Sequence, residues 1–173
     1  MDKFCKFCGV EHTAAEYPKT CEACTQTTWI NPTPVAVLLQ PVVDGDRRGI
    51  IIGERGIEPQ KGNWGLPGGF IDPNDADVIA AARREFWEET GIEATPADLM
   101  QLYWSFSNRR QLLLFVIARC AMDIKMLDGF VPNYECPSIR VSWEPEELCF
   151  ESHTAAMAKY FRGLEIAKTR TFE

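Results

Sequence analysis

The sequence predicts an α+β domain, a mixed α/β sandwich, with a small cysteine-rich module at its amino end. Three observations predict it. Two Cys-x-x-Cys pairs fall within the first 24 residues. Beyond residue 31, short β-branched runs alternate with turn residues. Two stretches there carry apolar residues at helical spacing, with strands before, between and after them.

The chain has 173 residues, room for one ordinary domain plus an accessory module. Its hydrophobic fraction of 46% supports a packed core. Eighteen basic against 25 acidic residues give a net charge of -7, so the surface repels polyanions and acidic membranes. That weighs against nucleic-acid binding. No basic start leads into an apolar stretch, and no run approaches the roughly 18 apolar residues that span a bilayer. The expected location is therefore cytoplasmic, with no membrane partner. Seven cysteines, an odd number with four in tight pairs, favour a metal over a disulfide framework.

Cys5-x-x-Cys8 and Cys21-x-x-Cys24 are separated by twelve residues, the arrangement in which two turns present four thiolates to one tetrahedral ion. So short a segment lacks a core of its own and needs a staple, which Zn2+ supplies. A redox Cys-x-x-Cys opens a helix after a strand, and neither copy has that setting. His12 is expected at the surface. Residues 1–30 carry no basic stripe, so this zinc ribbon reads as structural, packing on the rest of the chain or assisting a dimer.

The main domain then covers residues 31–173, entered through Asn31-Pro32-Thr33-Pro34 as a short extended linker. Val35–Gln40 and Gly49–Gly53 read as strands forming a hairpin around the turn at Asp44-Gly45-Asp46. A polar stretch and Leu66-Pro67-Gly68-Gly69-Phe70 lead into an acidic loop. From Asp77 to Glu89, Val78, Ala81, Ala82 and Phe86 recur at helical spacing, and Thr90-Gly91 marks the stop. Leu99–Phe106, Gln111–Ala118 and Ile139–Trp143 read as further strands. Glu151–Leu164 reads as a second helix with Ser152 as its cap and Met157, Phe161 and Leu164 on its apolar side.

The first helix carries the chemistry. Glu85, Glu88 and Glu89 stand at i, i+3 and i+4, so three carboxylates share one side. Like charges at that spacing cost about 0.2–0.5 kcal/mol per pair. In the last turn each also opposes the helix dipole by about 0.3–1 kcal/mol. A solvated acidic face would carry these costs as they stand, whereas a hard divalent cation, Mg2+ or Mn2+, would reverse their sign, and the cluster alone leaves both readings open. Arg84 precedes the cluster, and the Gly68-Gly69 pair permits close backbone approach to a ligand.

The stretch Gly69–Ile92 resembles the Nudix box. Arg84-Glu85-Phe86-Trp87-Glu88-Glu89-Thr90-Gly91-Ile92 follows the second half of that pattern with an aromatic at one aliphatic place. The segment from Trp64 to Phe70 is similar to the family's approach to the box. The first half departs: five residues beyond Gly69 stands Asp75 where the family has glutamate, and eight residues rather than seven then lead to Arg84. Either Asp75 or Asp77 takes the place of that glutamate, whose family role is to brace the loop.

The resemblance implies a Nudix α/β/α sandwich and hydrolysis of a nucleoside diphosphate linked to another moiety. It makes Glu85, Glu88 and Glu89 the holders of Mg2+ or Mn2+, with Arg84 orienting them. The backbone at Gly68 and Gly69 would close either the metal shell or the phosphate pocket, and Arg55 either contacts phosphate or forms a structural ion pair. Trp104 and Phe106, with Tyr103, either stack on a nucleobase or fill the core. The family often places a general base late in the sheet. Glu135 is the candidate, with Glu144, Glu146 and Glu147 as competitors. Cys120, Cys136 and Cys149 read as ordinary thiols.

The ribbon with its Asn-Pro linker resembles NADH pyrophosphatases and a shorter group acting on FAD or ADP-ribose. The Ser-Gln-Pro-Trp-Pro-Phe-Pro stretch usual in the former is replaced here by Leu102–Asn108, which favours the latter. Such relatives are often homodimers, so a homodimer is an expected assembly. The expected partner is a small-molecule nucleotide. A nucleotide-capped RNA end also fits, because only the cap need enter the pocket. The alternative is a Nudix-fold nucleotide sensor without catalysis, motivated by the irregular first half of the box.

Overall fold

The computed structural model describes residues 3–13, 16–95, 99–106 and 111–170, with the backbone alone for 99–106 and 165–170. The chain divides into two compact units, Met1–Pro32 and Thr33–Glu173. In the first, β1 (Lys19–Thr20) pairs antiparallel with β2 (Thr27–Thr28). The second begins with β3 (Thr33–Leu39), β4 (Pro41–Asp44), β5 (Arg47–Glu54), β6 (Trp64–Gly65), β7 (Gly68–Phe70) and the helix α1 (Val78–Thr90). It continues with β8 (Leu99–Phe106), β9 (Gln111–Ala118), β10 (Met122–Asp123), a 3-10 turn over Ile124–Gly129, β11 (Ile139–Ser142) and the helix α2 (Glu151–Arg170).

One sheet has the order β7-β3-β9-β8, with β3 and β9 parallel. The other runs β10-β4-β5-β11, with β6 pairing β5. The alternation of side chains along β3 and β5 explains the layering. Val35, Val37, Leu39, Ile50 and Ile52 pack against Ala156, Met157, Tyr160 and Phe161 of α2. Ala36, Leu38 and Ile51 face the other way, against Ala81, Ala82 and Phe86 of α1. Strands covered on both faces read as continuous apolar runs, as Val35–Leu39 and Ile50–Ile52 do. The expected mixed α/β sandwich is thus formed, its two helices on opposite faces. No helix among the described residues is long and apolar enough to cross a membrane.

Two expectations fail locally. Val35–Gln40 makes no hairpin with Gly49–Gly53: the turn at Gly45-Asp46 closes β4 on β5, in register Pro41↔Ile50 to Asp44↔Arg47. β3 lies instead in the other sheet, between β7 and β9. Pro41 separates the two runs, and β3 needs cover on both faces, which a hairpin open to solvent on one side does not give. Ser152 sits inside the first turn of α2. The hydroxyl of Thr154 takes the free amide of Leu148 there, at 2.9 Å.

Candidate active site

α1 is bounded as its sequence dictates. The Asp77 side chain caps it by accepting from the Ala80 amide at 2.8 Å, a short polar acceptor satisfying an orphan donor. Gly91, at φ 70°, closes the other end, its amide donating to the Trp87 carbonyl at 2.7 Å. Ala81, Ala82, Phe86 and Thr90 are buried; Glu85 and Glu89 border that buried face, while Arg84 and Glu88 lie toward solvent.

Arg84 is the hub. Its Nε and Nη2 donate to the two oxygens of Asp75 at 3.0 and 2.9 Å. Nη2 also donates to the Phe70 carbonyl at 3.0 Å, and Nη1 reaches Glu85 at 2.8 Å and Glu88 at 2.9 Å. The fork geometry of a guanidinium makes this possible, and a lysine would not reproduce it. Asp75 is therefore the loop carboxylate beside the arginine, while Asp77 is the helix cap. Arg84 holds the Asp75 carboxyl below its usual range. The extra residue of the loop is absorbed in a turn where Asp75 N donates to Asp72 O and Asp72 N donates to the Asp75 side chain.

Glu85 and Glu88 each give one oxygen to Arg84. Glu88 is 47% exposed and Glu85 only 14%. Burial raises the Glu85 pKa, against the pull of Arg84. Glu89 is enclosed further. Its carboxyl accepts from the Gly68 amide at 3.2 Å, and burial pushes its pKa up to about 8, with Glu85 and Glu135 adding to the rise and Arg55 opposing it. Gly68 stands at φ 155°, where a side chain is strained and would run into the β3 backbone at Ala36 and Val37. A Cβ on Gly69 would overlap the Glu85 carboxylate. Gly69→Ala is therefore expected to displace Glu85 and lower kcat by about 100-fold, the cost of misplacing a reacting group by about 1 Å. Unchanged kcat in a folded Gly69→Ala protein would contradict it.

The raised Glu89 pKa also sets a pH dependence. Between the ordinary glutamate value of 4.5 and about 8, the folded chain holds a proton that the unfolded chain has released. Stability without divalent ions therefore falls as pH rises through that window. An ion bound through Glu89 would have to displace that proton, and its apparent affinity would then rise with pH up to about 8. Calorimetric titration with Mg2+ across this range checks it, and a pH-independent affinity would count against it.

Glu135 enters the same site from the loop before β11. It acts electrostatically on both Glu85 and Glu89, and the Tyr134 hydroxyl donates to it. Of its competitors, Glu146 is paired with Arg140, and Glu144 and Glu147 are exposed. Arg55 is held by its Nε on the Pro59 carbonyl at 2.9 Å and lies over the Phe150 ring. Its charge acts on Glu89. The side chains of Trp104 and Phe106 lie outside the described residues. Sequence reasoning missed Asn133, whose amide spans the end of α1 and the Glu135 loop. It also missed His153, buried and neutral with its pKa pushed down to about 3 by burial, accepting from the Leu66 amide. An asparagine two residues before a polar turn residue is an Asx-turn signal, but nothing local points it at a helix.

In the amino-terminal unit the two knuckles are built alike. Cys5 N donates to Val10 O and Gly9 N to Cys5 O; Cys21 N donates to Gln26 O and Thr25 N to Cys21 O. Cys5 and Cys24 Sγ lie 3.7 Å apart, and Cys8 and Cys21 Sγ 3.6 Å. A tetrahedral site with bonds of about 2.3 Å has sulfur–sulfur edges of about 3.8 Å, so the sulfurs fit a zinc ion. Among the described residues these four form the one group of three or more metal-ligating side chains whose ligand atoms lie within 4.8 Å of one another. The three glutamates form no such group: Arg84 holds Glu85 and Glu88, and Glu89 sits on the Gly68 amide. His12 is half-buried rather than at the surface, its ring nitrogens enclosed without a hydrogen-bond partner. Cys120, Cys136 and Cys149 form no disulfide, and burial pushes the Cys136 thiol up to about 12.

A model of the NUDIX domain matches residues 32–159. The chain belongs to the Nudix family. It is 36% identical over 66 residues to the "ADPR responsive transcriptional repressor NtrR" of Acinetobacter baylyi, covering 36% of this chain and 26% of that protein. It is 37% identical over 73 residues to the uncharacterized Nudix hydrolase NudL of Escherichia coli, covering 41% of this chain and 38% of that one. The chain thus spans well under half the length of these curated relatives. Among solved structures, a NUDIX hydrolase from Nitrosomonas europaea shares the fold with a TM-score of 0.64 at 20% identity, covering 93% of this chain and 91% of its own.

Proposed function

We propose that this Nudix domain hydrolyses a pyrophosphate bond in a nucleoside diphosphate linked to another moiety, with ADP-ribose, FAD or NAD(H) as the substrate class. The Arg84 hub carries the reading. It gathers Glu85 and Glu88 near the buried Glu89, against the half-buried backbone of Gly68 and Gly69. The donor set fits a divalent ion: Glu89 is a carboxyl that burial has deprived of the solvation its charge requires, and hard oxygens in a negative site suit Mg2+ or Mn2+. Bound there, the ion neutralises charge on the phosphate oxygens and lowers the pKa of a water.

The chain's own residues do the rest. Arg84 orients the two outer glutamates, and the Gly68-Gly69 backbone lets the pyrophosphate approach. Glu135 accepts the proton of the attacking water, and the Arg55 charge holds a phosphate. Residues 1–30 serve as a structural zinc ribbon on Cys5, Cys8, Cys21 and Cys24, and residues 31–173 as the hydrolase, acting in the cytoplasm. The test is incubation with ADP-ribose, FAD, NADH and dinucleoside polyphosphates in Mg2+, with product identification. Release of mononucleotide from at least one is expected, and none from any would sink the reading.

The similarity to an ADP-ribose-responsive repressor favours a second reading, a nucleotide sensor. It predicts calorimetric binding of ADP-ribose without its consumption.

A further inference from the structure

The end of α1 presents unpaired carbonyls, as every helix end does, yet its last turn holds no basic residue. A lysine or arginine there would compete with a metal for the glutamates. The carbonyls of Glu88 and Glu89 are instead taken by a neutral group: Asn133 Nδ2 donates to both, at 3.0 Å each. The other end of the same amide accepts from the backbone amides of Glu135 and Cys136, at 2.9 Å each. From the opposite side, the Gly56 amide donates to the Glu135 carbonyl at 2.7 Å. The approach is so close that a Cβ on Gly56 would overlap the Tyr134 carbonyl.

We infer that Asn133 is a positioning residue that ties the Glu135 backbone to the last turn of α1, fixing Glu135 relative to Glu85 and Glu89 without adding charge. The roles given to those glutamates rest on the hydrolase reading above. The asparagine amide meets all four demands. Aspartate would turn an acceptor toward two helix carbonyls. Serine can accept within the turn but is too short to reach the helix, and alanine does neither.

The test is a double-mutant cycle on kcat with whichever panel substrate turns over, using the parent, Asn133→Ala, Glu135→Gln and the double variant. Asn133→Ala should lower kcat by about 10–100-fold, the usual cost of losing an outer partner of a site, with KM little changed. In the Glu135→Gln background the further loss should be under about twofold. Equal losses in both backgrounds would overturn the inference. Hydrogen exchange at the Glu135 and Cys136 amides reads the clamp independently of turnover. Exchange should quicken in Asn133→Ala, and unchanged exchange would also overturn it. If the parent hydrolyses nothing, the hydrolase reading fails and the exchange result alone decides the clamp. Should Asn133→Ala fail to fold, Asn133→Ser retains the turn and removes only the tie to α1. Parent-like kcat in that variant would refute the tie.

Discussion

Replacing Glu89 by glutamine is expected to lower kcat by about 1000-fold or more, on the scale of losing one member of a catalytic unit. The same variant, without divalent ions, should stay folded and above pH 8 be more stable than the parent. The two effects have one cause. Burial resists the Glu89 charge and raises its pKa to about 8, so above that pH the parent carries a poorly solvated carboxylate that the variant lacks. Glutamine keeps an oxygen to accept the Gly68 amide, so the contact between β7 and α1 survives. What disappears is the negative charge by which the proposed site would hold a cation against a pyrophosphate. The measurements are kcat in Mg2+, and the melting temperature at pH 9 in magnesium-free buffer without chelator, so that any zinc is retained. Parent-like turnover would remove Glu89 from the metal site. A large drop in melting temperature would show that its carboxylate is a structural bond instead.

What was legible in the sequence was local. Arg84, Glu85, Glu88 and Glu89 are neighbours because a helix places i, i+3 and i+4 together, and the helix was marked by its apolar spacing and by Gly91. The cysteine knuckles were legible for the same reason. The choice between Asp75 and Asp77 was not, because an inserted residue is absorbed by the shape of the Asp72–Asp75 turn rather than by the count along the chain. Strand pairing was illegible too. The runs Val35–Leu39 and Ile50–Ile52 reveal two buried strands, but the β-branched pattern does not say which partner each takes. Asn133 reaches α1 across more than forty residues, and such contacts leave no periodic trace.

Stripping zinc, or Cys8→Ser, should unfold the amino-terminal unit while Thr33–Glu173 keeps its fold. Among the described residues before Thr33, the only buried apolar side chains are Cys5 and Cys21, while Phe4, Phe7, Val10, Trp29 and Ile30 are exposed. A segment of this size without a core lacks the burial needed to offset its ordering entropy. Its knuckles also hold Thr25 at φ 59°, an uncommon conformation for a β-branched residue. A zinc ion on four thiolates contributes an apparent stabilisation of about 10–16 kcal/mol near neutral pH. Without the ion the sulfurs hold their protons unequally: the Phe7 amide chiefly draws the Cys5 thiol down to about 7, while at Cys24, against the pull of the Gln26 amide, burial and the neighbouring cysteines push the thiol up to about 12. Elemental analysis should give one zinc per chain, and chelation followed by limited proteolysis should cut within the first 32 residues and leave a resistant remainder. Unchanged protease resistance after zinc removal, or a protein purified without zinc, would mean that another interaction holds these knuckles closed.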